Sequence, residues 1–85
     1  MAIQEVVVKV PDQILIAEKS EPSVFGKELA MLAAVKLFEL GRLSSGRAAE
    51  LAGISRVAFL ESLSKYEVFP LAAELADLEQ AHAGH

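Results

Sequence analysis

The chain contains no cysteine. Disulfides, thiolate metal centres and cysteine nucleophiles are therefore excluded. Histidine is nearly absent too, with only His82 and His85. Two histidines at one end of the chain do not suggest a Ser-His-Asp grouping. Their i, i+3 spacing could place both on one helix face, but no nearby third ligand is assured and no functional metal site is expected from them. No glycine-rich phosphate loop is present, and the carboxylates are spread singly rather than in pairs. Long apolar runs are missing as well. The longest uncharged one, Leu29 to Val35, is far too short to cross a bilayer. The opening MAIQEVVVKVPD lacks the basic start and apolar stretch of a secretory signal. These absences argue against an enzyme, a cofactor protein or a membrane protein. The expectation is a soluble, cytoplasmic protein.

The 85 residues fit one small domain, and 53% of them are apolar. A domain this short buries a limited share of its surface. So much apolar content predicts that part of it is covered by a second subunit, most simply in a symmetric homodimer. The net charge is −4, which disfavours nonspecific attraction to nucleic acid. The charge is not evenly spread. Residues 1–41 carry −2, residues 42–66 carry +2 and residues 67–85 carry −4. All three arginines, Arg42, Arg47 and Arg56, lie in the middle segment.

Three regions follow from the pattern: a strand and loop over 1–20, a helical core over 21–66, and an acidic tail over 67–85. IQEVVVKV (3–10) is rich in β-branched residues and ends at Pro11-Asp12, a turn signal, so it predicts a short strand. A lone strand needs a partner. Ile14 to Ala17 could supply a second strand; the same segment of another subunit is the favoured alternative. Glu5, Val7 and Lys9 share one face of this strand, and Gln4, Val6, Val8 and Val10 the other. In ribbon-helix-helix repressors such a strand reads bases with polar side chains. Neither face here suits that task, so the strand is read as a dimerisation element.

Residues 22–40 predict the strongest helix. Leu29, Leu32, Ala33, Lys36, Leu37 and Leu40 form its apolar stripe at three-four spacing, interrupted only by Lys36. GRLSSGRAAELAGISRVAFLESL (41–63) then reads as helix, sharp turn, helix. Gly41 stops the long helix, and Ser44 or Ser45 caps a short one over 45–52. Gly53 ends that helix in a conformation open to positive φ. Ser55 caps the next, over 55–66. Ala49, Gly53 and Ile54 supply the small residue, the turn and the anchor of a helix-turn-helix over 44–66. The fold class expected is mainly α with a short N-terminal strand, a dimeric helical domain containing a helix-turn-helix.

Taken together, VVVKVPDQIL, a helix ending LFELGRLS, GRAAELAGISRVAFLESL and a tail opening VFP resemble the small prokaryotic proteins grouped as uncharacterised protein family 0175. The family pattern is a leucine-rich helix ending Gly-Arg/Lys-Ile/Leu-Ser. It continues with Gly-Lys/Arg-Ala-Ala-Glu-Leu-Ala-Gly-Ile/Met-Ser-Arg and a Phe-Leu pair. Residues 41–63 match it almost position by position, and the likeness covers about residues 5–70. The resemblance implies an antitoxin-like component of a toxin-antitoxin pair, or a small DNA-binding regulator.

Two surfaces follow as candidates. In a helix-turn-helix, early exposed residues of the second helix meet base edges. Alignment on Ala49 and Gly53 turns Ser55, Arg56, Val57, Leu60 and Glu61 outward and Phe59 inward. Arg42, Ser45, Arg47, Ser55 and Arg56 are thus the expected contacts to operator DNA, with Arg56 able to read guanine or phosphate. Leu60 and Glu61 fit a groove poorly, and a purely structural helix corner is the competing reading. In the tail, Leu71, Leu75 and Leu78 form an apolar stripe beside an acidic face of Glu74, Asp77 and Glu79, a surface suited to a basic toxin protein. An ordinary terminal helix is the plainer reading of that segment. A protein–protein adaptor without any nucleic-acid role is the alternative for the whole chain.

Overall fold

The computed structural model describes residues 2–68, in which every regular element is helical. Helix α1 spans Asp12–Glu18, α2 Pro22–Glu39, α3 Ser45–Ala52 and α4 Arg56–Ser62, and a 3-10 turn follows over Leu63–Tyr66. The tail positions Leu71, Glu74, Leu75, Asp77 and Leu78, with His82 and His85, lie outside the described residues.

Residues 2–10 have no regular secondary structure, so the predicted strand is not formed within one chain. A strand needs a neighbour to satisfy its backbone groups. The neighbour considered within the chain, a second strand at Ile14 to Ala17, does not exist. Those residues lie in α1, which starts directly after Pro11 with Asp12 in its first turn. Carboxylates favour that position because they face the helix's unpaired N–H groups.

Helix α2 begins with Pro22 at its first turn, where the missing N–H costs nothing. It ends in a closure that recurs along the chain. Gly41, at φ 76°, donates to Phe38 O at 2.9 Å, and Arg42 donates to Leu37 O at 2.9 Å. This pair of bonds satisfies carbonyls that the helix leaves open, and it needs a residue at positive φ. Gly53, at φ 75°, ends α3 in the same way, with Ile54 donating to Ala49 O at 3.1 Å. Lys19 and Glu67 take the same conformation, at φ 52° and 57°, without glycine's freedom.

The core consists of Ala34, Val35, Ala48, Ala49, Phe59, Leu60, Leu63 and Val68. Small residues on α2 and α3 let the two helices approach closely. Phe59 of α4 fills the space beside them, its ring edge-on to Phe38 at 5.6 Å and 86°. Met31, Leu43, Ala52 and Tyr66 pack around this centre. The stripe expected to face inward on α2 does so only in part, with Leu29 and Leu37 half-buried. Ala34 and Val35 are its buried residues, while Leu32 and Leu40 are 43% and 58% exposed. This helix is apolar on all sides, and periodicity cannot choose one face of such a helix. The choice is made by α3, whose Ala48 and Ala49 belong to the same cluster as Ala34 and Val35. No described residue before Ala34 is buried.

Candidate nucleic-acid interface

The corner between α3 and α4 is built by capping. Ser44 Oγ accepts from Arg47 N at 3.2 Å, and Ser55 Oγ accepts from Ala58 N at 3.1 Å. Each serine binds the N–H three residues on, the usual N-cap bond. Gly53 supplies the tight turn between them. The two helices therefore start at fixed places.

The serine beside the first cap has a different task. Ser45 is only 2% exposed, and its Oγ accepts from Arg56 Nε at 2.8 Å. Ser45 opens α3 and Arg56 opens α4. The bond thus ties the starts of both helices together across the corner. A buried hydroxyl cannot reach a phosphate, so Ser45 is corrected from a DNA contact to an internal brace. Arg56 is half-buried with its Nε committed. Leu60 is also corrected: it is 4% exposed and belongs to the core with Leu63 and Val68. Phe59 points inward, as the alignment required.

Arg42, Arg47 and Ser55 remain at the surface. Arg42 sits on the turn between α2 and α3, and Arg47 on the first turn of α3. Among the described residues neither guanidinium has a hydrogen-bond or ion-pair partner. Both lie within three positions of Ser45 in the chain, the residue that holds Arg56. Helical spacing could not reveal the Ser45–Arg56 bond, because it joins residues of two different helices. The doubled serine was the available clue, since one hydroxyl suffices for the cap.

Removing the brace gives a direct test. Ser45→Ala leaves Arg56 Nε without its acceptor in a partly dry site. The expected cost is about 1–2 kcal/mol, read as a lower urea midpoint at an unchanged m-value.

Among the described residues no group of three or more His, Asp or Glu side chains could hold a metal ion. None of their helices is long and apolar enough to cross a membrane. The fold and this corner define a small helical domain built on a helix-turn-helix pair. The chain belongs to the uncharacterised protein family UPF0175, whose model matches residues 1–83. No curated protein and no solved structure matches it.

Proposed function

We propose that the protein is a small dimeric regulator that binds duplex DNA through the α3–α4 corner, of the kind that serves as an antitoxin. Arg42 and Arg47 hold backbone phosphates, and Ser55 lies against the strand at the start of α4. Arg56 is a positioning residue that fixes α4 relative to α3 through Ser45. The Ser45–Arg56 bond is the observation that carries this reading. It ties the starts of α3 and α4 together within the segment that carries all three arginines of an otherwise acidic chain. Phosphate contacts set register and orientation only if their donors sit on a fixed frame. Two copies would place two such corners on successive half-sites, compensating for a small single footprint. The toxin-binding part of the reading rests on Leu71, Glu74, Leu75, Asp77 and Leu78 as a sequence pattern.

A salt titration tests it. Full-length protein is mixed with a labelled duplex taken from upstream of its own gene, and binding is followed by anisotropy. Two arginine–phosphate contacts per protomer predict a slope of log K against log salt of about −4. Failure to bind at low salt would sink the DNA reading.

One observation favours the adaptor as a second reading. Ile3, Val6, Val7, Leu32 and Leu40 are all more than 40% exposed, a large apolar surface for so small a chain. An interface made of such residues would scarcely respond to salt.

A further inference from the structure

We propose that residues 4–10 of two copies pair as an antiparallel two-stranded ribbon whose two-fold axis passes through Val7. Ile3, Val6, Val7 and Val8 are 91%, 85%, 82% and 66% exposed. No hydrogen bond among the described residues engages positions 2–10. A run of β-branched side chains with open backbone groups is suited to strand addition. Pro11 lacks an N–H and stands where such a strand would stop.

Charge identifies the occupant as a second copy and sets the register. With Val7 facing its own copy, residue 6 faces residue 8, residue 4 faces residue 10, and Glu5 faces Lys9. By symmetry that ion pair forms twice. Moving the axis to Val6 puts Glu5 opposite Val7 and Lys9 opposite Ile3. Moving it to Val8 puts Lys9 opposite Val7 and Glu5 opposite Pro11. An axis at Glu5 or Lys9 sets like charges against each other. Opposite charges directly across an antiparallel pair stabilise it, and like charges destabilise it. Among antiparallel registers centred on a residue from 5 to 9, this one alone satisfies both charges. A foreign strand would have no use for a charge pattern that is complementary to itself.

The same register collects Val6, Val8 and Val10 of both strands on one face. A bare two-stranded ribbon is marginal in water and needs a floor for that face. The helices that follow offer apolar surface for it: Ile14, Ile16 and Val24 are 44%, 74% and 56% exposed. The ribbon deepens the dimer of the DNA-binding reading, and its test contains no DNA, so either can fail alone.

Because the chain has no cysteine, single thiols report the register cleanly. Val7→Cys in the full chain is expected to form a disulfide-linked dimer on mild oxidation. Val6→Cys and Val8→Cys should each cross-link poorly alone and efficiently when mixed. Equal cross-linking of all the single variants, or none by Val7→Cys, would overturn the register. Sedimentation velocity supplies the second reading. Glu5→Lys or Lys9→Glu alone should weaken self-association about ten-fold. The two changes in one chain should restore it, as should mixing the two single variants. Failure of that rescue, with circular dichroism unchanged, would overturn the proposal, as would a wild-type chain that sediments only as a monomer. A monomer that still binds DNA, with a salt slope of about −2 for its own two contacts, would sink the ribbon and leave the DNA reading standing.

Discussion

Phe59→Ala is expected to cost about 3–5 kcal/mol and to lower the melting temperature by about 20 °C or more. Phe59 is fully buried, and its ring meets Phe38 edge-on. The other buried apolar side chains among the described residues are three alanines, two valines and two leucines. Alanines cannot shift to fill the space left by a benzyl group, so the cavity would persist. A domain of this size has only a few kcal/mol of net stability to lose. Thermal and urea unfolding by circular dichroism measure the effect. A loss below about 1 kcal/mol would mean that Phe59 is not the centre of the core.

Arg42→Glu with Arg47→Glu in one chain is expected to weaken DNA binding more than about 100-fold while leaving the melt almost unchanged. Each change removes a charge-assisted bond to phosphate and sets a carboxylate against the duplex, and two such losses easily exceed the roughly 3 kcal/mol this requires. The expectation of an unchanged fold comes from the structure: both side chains are exposed and unpartnered among the described residues. Arg56 is left intact deliberately. Its Nε braces Ser45, so reversing its charge would confuse lost binding with a loosened corner. Anisotropy at fixed salt and a parallel melt separate the two effects. Undiminished binding would leave the α3–α4 corner a purely structural element.

The helices with strong punctuation were legible in the sequence. Pro22, Gly41, Ser44, Gly53 and Ser55 each force a local backbone choice, and α2, α3 and α4 begin and end at them to within a few residues. The short α1 was not. Ile14 to Ala17 is an apolar run with a β-branched residue at either end of its first three, and such a run suits a strand or a helix equally. The deciding signal was Pro11-Asp12, which marks a helix start as well as a turn. The buried face of α2 was equally hidden, since its neighbours lie far away in sequence. At the candidate site the positions of Arg42, Arg47 and Ser55 could be read from caps and turns. The inward place of Ser45 could not, because it depends on a side chain eleven residues away that belongs to another helix.

That no described residue before Ala34 is buried separates two tasks within one short chain. The fold rests on α2's second half, α3 and α4, while the valine arm lies outside it. Pairing preference can then change without any cost to the core. In the proposed ribbon, exchanging the charges at Glu5 and Lys9 would yield a chain complementary to its own copy but set like-to-like against the original. A cell holding several such proteins could keep their dimers apart through two surface positions, so duplicated genes of this design would acquire separate identities before their folds diverge.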